Sequence, residues 1–442
     1  MKYPSYPSMK DSNVEWLGKV PSHWIVQMIK RKSRVMRGAS PRPIDDPVYF
    51  DDNGEYAWVR IADVSAADTF LRETPQRLSS LGSSLSVKMQ PESLFLSIAG
   101  SVGKPCITKI KCCIHDGFVY FPDLKCDVKY FFYIFAAGEA YKGLGKLGTQ
   151  LNLNTETVGA IRMAFPPLPE QQAIAAFLDG KTQAIDAVIQ QKERLIALLQ
   201  EKRQALISQA VTKGLDPDVP MKDSGIDWLG EIPAHWAVKR LKHVTSFITS
   251  GSRGWAQHYS DDGALFLRIG NLTRDSIHLR MNDLQFVTPP DGSEGERTRV
   301  QVGDVLVSIT AYIGSIAVVE DDLGDAYVNQ HIALTRPRIA QAHPLWIGNS
   351  LLSDTGQAQF TRLLCGGTKD GLGLDDVANL ILPIPPRDEQ QAILERLNTQ
   401  CLNGKRLSGT LQTQIDKLRE YRQTLISAAV TGKIDVRQEV AV

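Results

Sequence analysis

Three patterns in this chain invite a chemical reading: a glycine-rich hexapeptide, three double prolines and two His-Trp pairs. Gly143-Leu144-Gly145-Lys146-Leu147-Gly148 has the spacing of a dinucleotide loop, but that loop needs a strand before it and a helix after it. Here a helical stretch precedes it and Asn152-Leu153-Asn154 follows, so the segment reads as a loop that reaches a ligand backbone. An adenine-amino methyltransferase clamps its flipped base with an Asn/Asp/Ser-Pro-Pro-aromatic loop. Phe165-Pro166-Pro167-Leu168, Thr288-Pro289-Pro290-Asp291 and Ile384-Pro385-Pro386-Arg387 do not fit it; the first and third end an insert and set the direction of the following helix. No GxxxxGK[ST] phosphate loop, HExxH or GxSxG segment occurs. His23-Trp24 and His235-Trp236 would need a carboxylate or nucleophile pattern beside them to act as acid–base groups. None accompanies them in the sequence, so they read as anchors. The six cysteines form no CxxC pair and are expected as reduced, partly buried thiols, with no metal site. A long chain without a catalytic constellation points to a binding protein.

The elements that position such residues come twice. Met9-Lys10-Asp11-Ser12 through Trp24 returns as Met221-Lys222-Asp223-Ser224 through Trp236; Glu170-Gln171-Gln172-Ala173-Ile174 returns as Glu389-Gln390-Gln391-Ala392-Ile393; Leu206-Ile207-Ser208 and Val211-Thr212 return as Leu425-Ile426-Ser427 and Val430-Thr431. The repeat is domain-sized, hence a duplication and not a solenoid. It predicts a repeated N-terminal segment (residues 1–24), an insert (25–165), a helix (166–214), the repeated segment again (215–236), a second insert (237–384), a second helix (385–432) and a tail (433–442).

The two helices start after Pro-rich turns and stop at Gly214 and Gly432. Each has about 40 residues, roughly 60 Å of helix. Leu178, Ile185, Leu199 and Leu206 share one seven-residue register, with Lys192 at the gap; Leu397, Leu411, Leu418 and Leu425 share the other, with Gly404 at the gap. Val188, Ile189, Leu195 and Ile196 flank the first seam, and Ile393, Leu407 and Ile415 the second. Such heptads predict coiled-coil pairing of the helices, antiparallel to each other. Arg194, Arg203, Arg419 and Arg422 mark a candidate partner surface on the outer stripe.

The inserts read as mixed α/β globules, so the fold class is α+β: two globules joined by two long antiparallel helices with a pseudo-twofold internal repeat. Residues 127–139 and 343–360 read as short helical spans. Val59-Arg60-Ile61-Ala62-Asp63 answers to Leu267-Arg268-Ile269-Gly270-Asn271, Ser97–Gly103 to Ser308–Gly314, and Gly148-Thr149 to Gly367-Thr368. The scaffold is shared while the loops differ. Charge alone does not select a partner: residues 25–165 carry 18 Lys/Arg against 14 Asp/Glu, residues 237–384 carry 13 against 16, and the chain nets +1. Any basic surface is therefore local. No run of about 18 apolar residues exists and residues 1–10 carry no apolar signal core, so a membrane span is not expected and the cytoplasm is the expected compartment.

Gly18-Lys19-Val20-Pro21-Ser22-His23-Trp24, the Pro167-Leu168-Pro169-Glu170-Gln171-Gln172-Ala173-Ile174 helix start and the Leu206-Ile207-Ser208-Gln209-Ala210-Val211-Thr212-Lys213-Gly214 helix end, each present in both repeats, resemble the DNA specificity subunit of type I restriction–modification enzymes over essentially the whole chain. The resemblance implies two target recognition domains (residues 25–165 and 237–384), each reading half of a split DNA sequence, with the helices as spacer. It implies two methyltransferase subunits using S-adenosylmethionine, two motor-nuclease subunits using ATP and Mg, and no catalytic residue, cofactor or metal in this chain. Sequence readout uses Arg, Lys, Asn, Gln and Ser/Thr at base edges. Beside the β runs these are Arg37, Arg60, Asp63, Ser101, Lys104, Thr149, Gln150 and Asn152, then Arg253, Arg268, Asn271, Tyr312, Asn329, Gln330, Thr368, Lys369 and Asp370. Lys104 and Lys369 suit phosphate better than bases. The alternative is a structural adaptor whose inserts bind proteins and whose helices drive association.

Overall fold

The computed structural model describes residues 3–141, 153–251, 253–289, 293–365 and 371–439. The chain forms two compact units, Met1–Lys192 with Thr413–Val442 (unit 1) and Glu193–Gln412 (unit 2). No helix among the described residues is long and apolar enough to cross a membrane.

In unit 1 the first insert begins on β1 (Ile25–Met28). It continues through β2 (Tyr56–Val59), α1 (Ile61–Ala66), β3 (Leu94–Ser97), β4 (Pro105–Thr108), β5 (Cys112–Ile114), β6 (Phe118–Tyr120) and α2 (Val128–Ala136). It ends on β7 (Arg162–Phe165), which pairs antiparallel with β1. Both ends of the insert thus leave side by side. β3 lies between β4 and β6 in one sheet; β5 runs parallel to β2 in another. Val59, Phe95, Cys106, Ile114 and Phe118 fill the core below them.

Helix α3 (Leu168–Lys213) follows and passes from unit 1 into unit 2. Unit 2 repeats the plan with β8 (Ala237–Arg240), β9 (Ala264–Leu267), β10 (Val305–Ser308), β11 (Ile316–Val318), β12 (Ala326–Val328) and β13 (Ile332–Pro337). Helices α4 (Pro344–Leu352) and α5 (Asp354–Cys365) come next, then β14 (Ile381–Ile384) and α6 (Arg387–Val430). β8 pairs antiparallel with β14, β10 lies between β11 and β13, and β12 runs parallel to β9. The helical span expected over residues 343–360 is two helices, because the extended backbone of Ser353 breaks it. The β runs and both long helices otherwise follow the sequence pattern.

Within each unit the two long helices run antiparallel. In unit 1 Lys192 reaches Gln414 at 2.6 Å and Arg422 reaches Asp186 at 2.9 Å. In unit 2 Ile207 and Val211 share a core with Ile393, Leu394 and Leu397. The seam positions Leu178, Ile185, Leu397, Leu411 and Leu425 are buried, as are Ile189, Ile393 and Ile415 of the flanking stripes, but Val188, Leu195 and Leu407 are exposed. A two-helix seam covers only a narrow a/d stripe, which leaves those flanks outside. Arg203 and Arg422 do not belong to an outer stripe either: Arg422 turns to Asp186 and Arg203 to the carbonyl of Asp275.

The repeated Glu-Gln-Gln motif ties frame to insert. Glu170 accepts the Trp24 indole N–H at 3.0 Å and the Tyr6 hydroxyl at 2.7 Å, and lies 2.7 Å from His23 Nε2. Glu389 takes Trp236 at 3.1 Å and His235 at 2.7 Å. The anchor reading of the His-Trp pairs therefore holds, with a correction: a carboxylate does accompany each histidine, brought from across the unit by the helix start. The next residue serves the insert. Gln171 accepts the Asp127 N–H at 2.9 Å and donates to the Pro166 carbonyl at 2.8 Å; Gln390 accepts the His343 N–H at 2.8 Å and donates to Pro385 at 3.0 Å. Both side chains are buried. Gln390→Leu strands these backbone groups, and urea denaturation should show a loss of about 1–3 kcal/mol; an unchanged midpoint would refute the tie.

Candidate nucleic-acid interface

In each unit four loops meet at one end of the paired sheets. In unit 1 they are residues 37–40, the start of α1, the β3–β4 hairpin loop and the β5–β6 turn. The Ile98 N–H donates to Gly117 at 2.8 Å and the Gly38 N–H to Phe118 at 2.9 Å. The unit 2 equivalents are Ile309 to His331 at 3.0 Å and Gly251 to Ile332 at 3.1 Å. A Cβ on Gly38 would sit 2.2 Å from the His115 carbonyl oxygen, and one on Gly251 2.1 Å from that of Asn329. Only glycine allows these loops to close on each other.

The sequence-selected residues divide accordingly. Arg37 donates from Nε to the Asp116 carbonyl at 2.5 Å. Ser101 Oγ lies 2.6 Å from Ser65 Oγ, and Lys104 Nζ donates to the Ser65 carbonyl at 2.7 Å. Arg60 is exposed, with its backbone N–H on Asp63 Oδ2 at 2.8 Å. The same box starts the short helix of unit 2, where the Arg268 N–H meets Asn271 Oδ1 at 2.8 Å. Asp63 and Asn271 therefore cap these short helices. Asn271 is 2% exposed and spends its amide on the carbonyls of Arg280 and Asp283. Caps of this kind satisfy the first N–H groups of a helix, which explains why this pattern survives in both repeats. The Arg268 guanidinium lies 3.3 Å from Asp283 and Arg253 is exposed. Asn329 Oδ1 accepts the His331 N–H at 3.2 Å, and Gln330 Nε2 lies 3.1 Å from His331 Nε2. Thr149, Gln150, Asn152, Thr368, Lys369 and Asp370 lie outside the described residues, as does the glycine-rich hexapeptide.

Tyr312 differs from the rest. Its side chain is 75% exposed and its φ is +52°, a region that costs a non-glycine residue of order 1 kcal/mol or more. Its carbonyl accepts from Ser308 Oγ at 2.6 Å, Ser315 Oγ at 2.8 Å and the Ser315 N–H at 3.1 Å, which hold the turn. An exposed aromatic face on a pinned, strained turn can stack on a flat ligand.

The β5–β6 turn escaped sequence reasoning. Asp116 pairs with Arg42 at 2.8 Å and accepts from Ser40 Oγ at 3.0 Å. Burial works against its charge, but Ser40, Arg42 and Arg37 hold its carboxyl below the usual range. Burial pushes the His115 pKa down, and its Nδ1 accepts the Gly117 N–H at 2.7 Å. In unit 2 Thr310 Oγ1 lies 2.9 Å from His331 Nδ1 at the matching place. Extending the repeat alignment past β5 and β12 would have found this turn. Burial pushes the thiols of Cys106, Cys112, Cys113 and Cys126 up to about 12, which suits inert thiols rather than ligands or nucleophiles.

A duplicated frame thus carries two divergent polar loop clusters, one in each unit. The family model described as the type I restriction modification DNA specificity domain matches residues 40–197 and 279–415, and the chain belongs to that family. It is 24% identical over 292 residues to the EcoBI specificity subunit of Escherichia coli, covering 65% of this chain and 61% of the relative. It is 24% identical over 318 residues to the MjaVIII specificity subunit of Methanocaldococcus jannaschii, covering 70% and 71%. The chain thus spans about three fifths of the length of the first of these. Among solved structures, a chain from a study of assembly and conformational transition of the type I R-M system superposes with a TM-score of 0.70 at 15% identity, covering 93% of this chain and 98% of that one. The HsdS subunit from Thermoanaerobacter tengcongensis gives 0.50 at 16%, covering 94% and 98%. These likenesses show the fold.

Proposed function

We propose that this chain is the non-catalytic DNA sequence-specificity subunit of a type I restriction–modification system, acting in the cytoplasm. Each unit reads one half of a bipartite target through its four-loop cluster. The observation that carries this is the division of labour inside the repeat: the His-Trp anchors and the Glu-Gln-Gln helix starts recur, while one loop cluster carries Arg37, Ser101 and Lys104 and the other Arg253, Tyr312 and Gln330. A frame kept twice with readers changed once is what recognition of two different sequences requires. The continuous helices α3 and α6 fix the gap between half-sites better than a Gly/Ser linker would. Two methyltransferase subunits, with S-adenosylmethionine, and two motor-nuclease subunits, with ATP and Mg, are the partners; this chain supplies no catalytic group. A gel shift with target duplex, with and without the methyltransferase partner, tests the reading. A shift competed by target but not by scrambled DNA is expected; an adaptor for proteins gives none.

Within this reading Tyr312 stacks on a base or sugar of the second half-site. Stacking contributes about 1–3 kcal/mol per base. Tyr312→Ala should therefore weaken target binding by roughly 5- to 150-fold and leave folding intact, and Tyr312→Phe should retain it. Equal binding by Tyr312→Ala would remove the residue from the interface.

A further inference from the structure

In both units the helix pair meets the insert along a groove built from equivalent positions. The register that aligns Glu170 with Glu389 also aligns Asp179 with Asn398, Asp186 with Lys405 and, on the other helix, Arg422 with Arg203. In unit 1 the groove is electrostatically closed. Arg422 Nε lies 2.9 Å from Asp186, while Asp179 accepts the Tyr133 hydroxyl at 2.7 Å and pairs with Lys129. In unit 2 both aspartates are gone. Arg203 donates from Nη2 to the Asp275 carbonyl, and its buried Nε has no hydrogen-bond partner among the described residues. Three carboxylates line this groove, and each is engaged: Asp275 lies 3.6 Å from Arg280, Glu320 pairs with His278, and Glu395 accepts from Gln391 at 2.9 Å. Arg203 and Lys405 are left without a carboxylate among the described residues. The walls between them are apolar, with Ile207, Ile277, Leu352, Leu394 and Leu397 buried. The cavity measures about 580 Å³, within the range of small-molecule sites.

A buried guanidinium N–H without an acceptor is costly unless an anion completes it. A groove that served one partner equally in both units would keep the same charge in both, and these do not. We propose that the unit 2 groove binds a small amphiphilic carboxylate: the carboxylate bridges Arg203 and Lys405, and the aliphatic body lies along the leucine wall. The site belongs to unit 2 and does not depend on the DNA reading.

Isothermal titration of the purified chain with decanoate, decanol and acetate tests it. One decanoate per chain is expected, with decanol weaker by about tenfold or more, since a charge-assisted hydrogen bond is lost, and with no detectable acetate binding. Lys405→Asp rebuilds the acid partner that unit 1 possesses; it should abolish decanoate binding while the circular dichroism melt is retained. Arg203→Met should also abolish binding, and Arg422→Met in unit 1 should spare it. Equal affinity for decanol, unsaturable uptake, or unchanged binding by Lys405→Asp would overturn the proposal.

Discussion

Replacing residues 29–161 with the matching stretch of another family member changes one half of the recognised sequence and leaves the other half and the gap as they were. The physical reason is the β1–β7 pair: Ile25 lies opposite Phe165 and Met28 opposite Arg162, so a transplanted insert leaves the frame where it entered. The frame needs little from its guest. Gln171 requires a helix N-terminus at the place of Asp127, which any insert of this plan supplies. Each mismatched base pair costs about 1–3 kcal/mol, and specific sites are bound about 10³- to 10⁷-fold more tightly than bulk DNA. Loss of one half-site therefore abolishes selection of the old target. Selection experiments on duplexes with randomised halves would read this directly. A simultaneous change of both halves would contradict the independence of the units.

The second large effect is on stability. Asp304→Ala should destabilise unit 2 by about 3–5 kcal/mol, the range for removing one partner of a buried ion pair. Asp304 is wholly buried and accepts from Arg336 Nε and Nη2, both at 2.8 Å, and from the Gln301 N–H at 2.8 Å. Burial pushes its carboxyl up, against the pull of Arg336. The arginine also lies over the Phe247 ring at 5.8 Å and donates to the Arg299 carbonyl at 3.2 Å, so the mutant leaves a largely buried guanidinium without its carboxylate. Asp304→Ala with Arg336→Met should recover part of the loss, because an apolar replacement of both partners removes the stranded charge. Urea denaturation followed by tryptophan fluorescence would measure both variants. A loss under about 1 kcal/mol in the single variant would show that the pair is not a structural element of the core.

These two cases also show what can be read from the chain before folding. The ends of α3 and α6 were legible because their signals are local: prolines before, glycine after, and a heptad between. Gly214 and Gly432 end them with φ of +74° and +70°, as an αL cap requires. The repeated segments were legible because duplication marks them. Contacts across long sequence separations were not. Nothing near His23 announces Glu170, and nothing near Asp304 announces Arg336. In the loop clusters the difficulty was different: the polar atoms of Asp63 and Asn271 that suit a base edge also cap short helices. Side-chain chemistry alone does not distinguish a reader from a cap; the hydrogen-bond partner does.

On this reading one chain reads two unlike half-sites held at one separation. Single-molecule methylome sequencing of a host carrying this chain with its partner subunits, beside a host from which the chain is deleted, measures it. The expected result is a single motif of two short defined blocks around a fixed run of unspecified bases, with modified adenines in both blocks, all lost on deletion. A continuous motif, a gap of variable length, or a pattern unchanged by the deletion would contradict it.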